Sequence, residues 1–200
     1  MKTLWTLTVL ALLAAPLAAA PLTDEERGRL LDHLERTRDL FLDSVADLSE
    51  AQWSYKAAED RWSIAECAEH IALSEEFLRE RIAGFMAEPA SADRLPVDAA
   101  KLDTVLTMIV DRGQKFQAPE PLVPTRRWAT PAEALAFFTE QRAKTAERVG
   151  DGGDLHSYVG EHPAFGDLDA YVWFFFLSGH TERHTLQIEE VKADPGFPAS

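Results

Sequence analysis

Four consecutive aromatic residues near the C-terminus restrict the fold of this chain more than any other feature of its sequence. The run WFFF at residues 173–176 lies in a segment, about 167–192, whose apolar residues recur at helical spacing. Successive residues of a helix point about 100° apart, so four aromatic side chains in a row must face several neighbouring helices. The segment is therefore predicted to be a helix inside a helical bundle.

Capping signals mark the starts of three further long helices. Thr23 and Glu26 form a capping-box pattern, in which Ser or Thr is followed three residues later by Glu. Ser63 and Glu66 repeat this pattern, and Thr130 is an N-cap that precedes a proline. These signals predict helices at about 23–46, 63–87 and 130–149, and a shorter helix is expected at 98–116.

Signals for β-strands are weak in this sequence, because valine and isoleucine are sparse and alternating patterns are hard to find. The predicted fold class is therefore all-α, a four-helix bundle with one short extra helix. The connection between the first two long helices and the segment after His156 are long enough to fold over one end of the bundle.

The first 20 residues are typical of a secretory signal peptide, with one lysine, a Leu-, Val- and Ala-rich core and small residues at the end. Pro21 disfavours cleavage directly before it, so cleavage is expected near Ala18 or Ala19. The alternative is an uncleaved membrane anchor. With the signal peptide removed, residues 21–200 would form one exported domain, periplasmic or secreted.

The charge of the chain argues against two classes of partner. Its net charge of −14 at pH 7 repels phosphate backbones and anionic lipid surfaces, so neither nucleic acid nor, after signal cleavage, a membrane is expected as a partner. Cys67 is the one cysteine, which excludes an internal disulfide. The domain must therefore be stabilised by its core, with or without a bound metal.

Two histidines lie four residues apart on the last helix. His180 and His184 share one helical face with mostly apolar neighbours, so this face is predicted to point inward. Inward imidazoles are costly unless they are hydrogen-bonded or bound to a metal. The spacing allows both to bind one ion, and the alternative is a pair of partly buried histidines with hydrogen-bond partners.

A third histidine strengthens the prediction of a metal site. His70 lies in the middle of the second long helix, on the inward stripe that includes Cys67 and Ser74. Three imidazoles from two helices would leave coordination positions open, as in catalytic metal sites. His33, His156 and His162 are weaker candidates for ligands, and His162 is expected to order the turn before Pro163.

Other residues near the histidines have alternative roles. Glu182 lies about 200° from His180 around the helix and is not expected to act as a general base. Arg183 is expected either at the rim of a pocket or in a salt bridge. Gln187 is expected either to orient a ligand or to form a hydrogen bond in the core. Glu66 is explained by its capping box, and Cys67 by burial as a small apolar residue, so neither is counted as a ligand.

The sequence resembles the DinB-like superfamily over about residues 23–192. The resemblance rests on RWSIAECAEHIALSEEF at 61–77, on APEPLVPTRRWATPAEAL at 118–135 and on HPAFGDLDAYVWFFFLSGHTERHTLQIEEV at 162–191. Its most specific part is a His on the second helix followed by H-x-x-R-H-x-x-Q on the last.

The resemblance implies a bacterial four-helix bundle, often a homodimer, with a divalent metal held by His70, His180 and His184. Zn²⁺ or Ni²⁺ is expected first, and Fe or Mn is the alternative. Members of the superfamily include thiol-dependent S-transferases, relatives of maleylpyruvate isomerase and proposed metal-dependent hydrolases. A signal peptide departs from the usual pattern of the superfamily. Export argues against a thiol-transferase role, because low-molecular-weight thiols are chiefly cytoplasmic.

Three functional hypotheses follow. The first is a metal-dependent enzyme, a hydrolase or transferase, acting on a small-molecule substrate. The ion would make a nucleophile from water or a thiol. The second is a non-catalytic module that binds a metal or a small ligand. The third is a helical protein whose histidines hold no metal. It predicts that a chelator changes neither the stability nor the spectra of the protein.

Overall fold

The computed structural model describes residues 21–199. The predicted signal peptide and its expected cleavage sites therefore lie outside the described residues. Within residues 21–199, no helix combines the length and the apolar content that crossing a membrane requires.

Helices and one β-hairpin make up the described part of the chain. The helices are α1 (Asp24–Ser44), α2 (Glu50–Ser54), α3 (Ile64–Phe85), α4 (Ala100–Ile109), α5 (Pro131–Gly150) and α6 (Ala170–Lys192). The hairpin consists of the antiparallel strands β1 (Val159–His162) and β2 (Gly166–Asp169). Short 3₁₀ helices lie at Ala92–Arg94 and Glu120–Leu122.

Hydrogen bonds confirm the predicted N-caps of three long helices. The Thr23 hydroxyl accepts the Glu26 N–H at 3.2 Å. The Ser63 hydroxyl accepts the Glu66 N–H at the same distance. In both capping boxes the Glu side chain accepts the N–H of the cap residue in return, and the Thr130 hydroxyl caps α5. These bonds satisfy backbone donors that a helix leaves unpaired at its start.

The four long helices form a bundle in which each helix packs against two of the others. α6 contacts α1 and α3, and α5 contacts the same two helices, so α5 and α6 occupy opposite corners. α4 packs against α6 as a fifth helix, and the hairpin also contacts α6. The four aromatic side chains at 173–176 are all buried, which confirms the prediction made from the aromatic run.

α4 approaches α6 closely at Gly179. A Cβ atom added to Gly179 would lie 2.7 Å from Cγ2 of Ile109, the last residue of α4. Carbon atoms do not pack at that distance, so a side chain at this position would move α4. Because Gly179 directly precedes His180, this contact sets how near α4 lies to the histidines of α6.

α4 is shorter than the predicted helix at 98–116, and its end has a physical cause. After Ile109, the Asp111 carboxylate accepts the Gly113 N–H at 2.8 Å, a turn that competes with the helical hydrogen-bond ladder. The guanidinium of Arg183 donates to the carbonyls of Ile109 and Asp111. The carbonyls at the end of α4 therefore have side-chain partners instead of further helical turns.

Two elements in the long connections were not predicted from the sequence. α2 begins at a capping box formed by Ser49 and Gln52. The hairpin turns through the three residues 163–165, and Gly166, the first residue of β2, has a φ of 65° in the left-handed region. The sequence predicted that the last helix starts near Asp167. Because β2 leads directly into α6, the helix begins instead at Ala170.

A buried polar cluster connects the four long helices, and we call it the Glu75–Arg142 network. The Glu75 carboxylate accepts two N–H groups of Arg142 at 2.9 and 2.8 Å. Arg142 also donates to the Leu34 carbonyl and to the hydroxyls of Thr37 and Thr181, at 2.7 to 2.8 Å. All five N–H groups of the guanidinium therefore have partners inside the protein.

Candidate metal centre

The structure brings together the three residues predicted as metal ligands. The ring centroid of His70, on α3, lies 5.1 Å from that of His180 and 4.3 Å from that of His184, both on α6. The two α6 rings are 4.5 Å apart. One nitrogen of each ring lies within 4.8 Å of the other two. Because Zn–N bonds are about 2.0–2.1 Å long, small rotations of the rings would direct all three nitrogens at one ion.

The surroundings of all three imidazoles favour the neutral form. His70 and His184 are buried, and His180 is partly exposed. Burial lowers the pKa of His70. Burial, together with the neighbouring imidazoles, holds the pKa of His180 and of His184 well below the ordinary value. A neutral imidazole has a free lone pair, which is the form that binds metals.

Hydrogen bonds at Nδ1 orient two of the rings. His70 Nδ1 lies 2.8 Å from the carbonyl oxygen of Leu122, and His184 Nδ1 lies 2.9 Å from Oε1 of Gln187. Both partners are oxygens that accept, so each Nδ1 carries the proton and each Nε2 keeps its lone pair. Metal-binding histidines are commonly oriented in this way. The hydrogen bond of Gln187 is made to a candidate metal ligand, so it fits the predicted orienting role as well as the predicted hydrogen bonding.

The three histidines line a cavity of about 790 Å³. The Trp62 ring packs beside them, with centroids 4.9 Å from His70 and 6.2 Å from His184. Much of the remaining wall is apolar or aromatic, and it includes Met108, Phe116, Leu122, Phe165 and Phe176. Phe116 is 67 % exposed, so the cavity has an apolar residue at a solvent-accessible position.

Arg183 holds one wall of the cavity and forms no ion pair within the described chain. Its side chain is buried and donates to the backbone carbonyls of Ile109, Asp111 and Gln114. Its guanidinium also lies 5.4 Å from the centre of the Phe116 ring. The predicted location beside a pocket is therefore observed, and the alternative of a salt bridge is not.

The other histidines have separate environments. His33 Nδ1 lies 2.7 Å from the Ser178 hydroxyl, and burial lowers the pKa of His33 to about 4. His156 pairs with Asp169 at 2.8 Å. His162 accepts the N–H of Ala164, as expected of a residue that orders this turn, but it also lines the cavity. None of the three belongs to the group of candidate ligands.

Residues left out of the predicted ligand set are also absent from the group found in the structure. Glu182 points elsewhere and pairs with Arg36 at 2.8 Å. Cys67 is fully buried, and burial raises its thiol pKa to about 12, so it is a protonated core residue. The sequence analysis missed the roles of Leu122 and Phe116, because a backbone carbonyl and an exposed loop residue leave no periodic signal.

Comparison with known proteins identifies the family. The sequence model of the DinB superfamily matches residues 33–188. The uncharacterized protein YuaE of Bacillus subtilis strain 168 is 25 % identical over 150 residues, which cover 72 % of this chain and 86 % of YuaE.

Two solved structures share the fold. YfiT from Bacillus subtilis, described as a probable metal-dependent hydrolase with an unusual four-helix bundle topology, superposes with a TM-score of 0.56 at 13 % identity, covering 88 % of this chain and 91 % of YfiT. TT2238, described as a four-helix bundle protein, superposes with a TM-score of 0.50 at 20 % identity, covering 82 % and 98 % of the two chains. These likenesses confirm the four-helix bundle predicted from the sequence.

Proposed function

This chain belongs to the DinB superfamily, and from that premise we propose that it binds a divalent metal through His70, His180 and His184 and hydrolyses a small molecule beside that ion. One observation carries the proposal. Three neutral imidazoles from two helices converge in a cavity, with their nitrogens within 4.8 Å of one another. The description of YfiT as a probable metal-dependent hydrolase supports the same reaction class.

The donor set fits a first-row divalent ion. Imidazole nitrogen suits Zn²⁺, Ni²⁺ and Fe²⁺, and the Nδ1 partners of His70 and His184 already fix the tautomer that leaves Nε2 free. Three protein ligands leave coordination positions for a small molecule, whereas structural zinc sites usually have four. We expect Zn²⁺ or Ni²⁺ first, with Fe or Mn as alternatives.

A bound ion supplies Lewis-acid chemistry that activates water or a thiol as a nucleophile. The surrounding residues shape the cavity and determine which substrates fit it. Trp62 and the apolar wall exclude solvent around the histidines and favour a substrate with an apolar or aromatic body. Of the cations in the lining, Arg112 and Arg61 pair with Glu190, and Lys115 is available to favour a substrate with an anionic group.

Elemental analysis of protein purified without a His-tag tests metal binding. We expect about one equivalent of metal per chain, as three-ligand sites hold one ion. We expect loss of the metal in His70→Ala and His180→Ala. His156→Ala is the matched control, because this histidine lies outside the cluster, and it should retain the metal. A wild-type protein that stays metal-free after reconstitution would overturn the proposal.

Turnover is tested with panels of esters, amides and thiol-conjugation substrates, using metal-loaded protein and His180→Ala. Hydrolysis of one class, absent in the variant, is the expected result. A second candidate function is a non-catalytic binding module. The observation that favours it is that both carboxylates of the cavity lining, Asp60 and Asp111, are exposed, so neither is a buried general base. Metal binding without any turnover would support that module instead.

We also propose that the protein is exported and forms a homodimer. The support for export is the apolar N-terminal segment of the sequence, with its small residues before Pro21. Mass spectrometry of the mature N-terminus from a bacterial periplasmic fraction should locate the cleavage near Ala18 or Ala19. Light scattering of the mature protein tests the dimer.

A further inference from the structure

We propose that Glu69 is a positioning residue for the candidate metal centre. It would hold the segment 122–127 in place, and the Leu122 carbonyl in that segment orients His70. The inference rests on the proposed function, since it assigns a role in metal binding to a residue that cannot itself reach the ion.

Glu69 is next to His70 on α3, but its carboxylate is fully engaged elsewhere. It is only 5 % exposed. Its oxygens accept the backbone N–H groups of Thr125 at 2.8 Å, Arg126 at 2.9 Å and Arg127 at 3.1 Å. A carboxylate with three such donors is not free to bind a metal, which agrees with its absence from the group of candidate ligands.

The three N–H groups form a site shaped for an anion. Arg126 has a φ of 63°, in the left-handed region, and such a residue turns successive N–H groups toward one point. Concavities of this kind commonly bind anionic ligands. Here the buried carboxylate of Glu69 fills the concavity, so a charge-assisted contact fixes the backbone of residues 125–127, which follow the 3₁₀ helix Glu120–Leu122 and belong to no helix or strand.

The same loop also orients His70, through the carbonyl of Leu122, which lies three residues before Thr125. Leu122 is buried, and its carbonyl accepts the Nδ1–H of His70 at 2.8 Å. α3 therefore holds the same loop through two adjacent side chains. Glu69 fixes residues 125–127, and His70 receives from residue 122 the hydrogen bond that sets its tautomer. Loosening the first contact should release the second and let the His70 proton move between its two nitrogens.

The experiment compares Glu69→Gln with Glu75→Gln in the full mature chain. Both variants replace a buried carboxylate of α3 by an amide, but Glu75 belongs to the Glu75–Arg142 network and does not contact the loop. Imidazole ¹⁵N NMR of the metal-free protein reports the His70 tautomer. Amide hydrogen exchange reports residues 125–127, and titration reports the zinc affinity.

We expect the wild type to show His70 protonated at Nδ1 and protected amides at 125–127. Glu69→Gln should lose that protection, give a mixture of His70 tautomers and bind zinc about 10–100-fold more weakly, the usual effect of removing a partner of a metal ligand. Glu75→Gln should lose stability but keep both the tautomer and the zinc affinity. Glu69→Asp, which keeps the charge with a shorter reach, should lie between wild type and Glu69→Gln.

Unchanged tautomer and zinc affinity in Glu69→Gln would overturn the inference. So would equal changes in Glu75→Gln, since general destabilisation would then explain them. Should Glu69→Gln fail to fold, Glu69→Asp decides in the same way. The tautomer and the amide protection are read without metal, so a wild type that binds none of the divalent metals would overturn the proposed function and leave this test intact.

Discussion

Two buried polar clusters contact α6, and they differ in how their polar atoms are satisfied. In the Glu75–Arg142 network, all five guanidinium N–H groups have partners. In the histidine cluster, the Nε2 atoms of His70 and His184 and both nitrogens of His180 have no hydrogen-bond partner within the described chain, and the rings line a cavity. The donors of the first cluster are paired inside the protein, whereas the second cluster has nitrogens that open onto the cavity.

This difference separates a structural polar cluster from a candidate binding site. The unpaired nitrogens of the histidine cluster face a cavity, where water or a ligand can reach them. The network offers no such position, because all five N–H groups of Arg142 are paired and both oxygens of Glu75 accept hydrogen bonds. The four predictions below test whether the two clusters respond to substitution and to metal in these different ways.

The largest effect is expected from breaking the network. Arg142→Met leaves the Glu75 carboxylate buried without its cation, which typically costs about 3–5 kcal/mol. Urea unfolding of the metal-free protein, followed by circular dichroism, measures this change. Arg148→Met on the exposed side of the same helix is the control, with an expected change within about 0.5 kcal/mol. Similar losses of unfolding free energy in the two variants would mean that the Glu75–Arg142 network does not stabilise the protein more than an exposed arginine does.

The histidine cluster should respond to metal instead. Zinc at 100 times its dissociation constant should raise the unfolding free energy of the wild type by about 2.7 kcal/mol. His180→Ala should show no such rise, and without metal its stability should stay close to that of the wild type, because His180 has no hydrogen-bond partner to lose among residues 21–199. Equal stabilisation of His180→Ala by zinc would contradict the assigned site.

The orientation of His184 should matter for metal affinity. Gln187→Leu removes the acceptor of the His184 Nδ1–H, which should weaken zinc binding about 10–100-fold. Calorimetric titration at fixed pH measures this. Gln141→Leu applies the same change to a buried glutamine outside the cluster, where it accepts from Arg79. That variant should lose stability and keep its zinc affinity, and a zinc affinity unchanged in Gln187→Leu would count against the orienting role.

The smallest effect is expected at His156, whose pKa responds in the opposite direction to those of the cluster. The hydrogen bond to Asp169 raises the pKa of His156 above its ordinary value. A raised folded-state pKa gives stability that is fully present below pH 6.5 and is lost as the pH rises through the folded-state pKa. The wild type should therefore lose slightly more stability than His156→Asn between pH 6 and 8. Parallel pH profiles would show that this pair contributes nothing.

The sequence predicted the parts of this fold that depend on local and periodic signals. The capping boxes at Thr23 and Ser63 correctly predicted two helix starts. Helical spacing predicted that His70, His180 and His184 point inward, and the structure brings them together. These signals lie within a few residues of one another along the chain, so they can be read without knowledge of tertiary contacts.

The missed features depend on contacts between distant residues. The hairpin has strands of four residues each, too short for an alternating pattern to be evident, and its Gly166 was not recognised as a turn signal. The partners of Glu69 lie 56 to 58 residues away, and they are backbone N–H groups. No residue type marks a backbone donor, so this contact could not be predicted from the sequence.

The close approach of α4 to α6 at Gly179 has a consequence for reading relatives of this protein. Replacing this glycine by alanine needs one methyl group, and that methyl would collide with Ile109 at 2.7 Å. α4 and the cavity wall after it would shift, although all three histidines would remain in the sequence. A homologue with an intact histidine triad and a bulkier residue at this position would thus match every ligand-based motif and still lack the pocket shape. Residue 179 should therefore be inspected together with the triad before function is transferred within the superfamily.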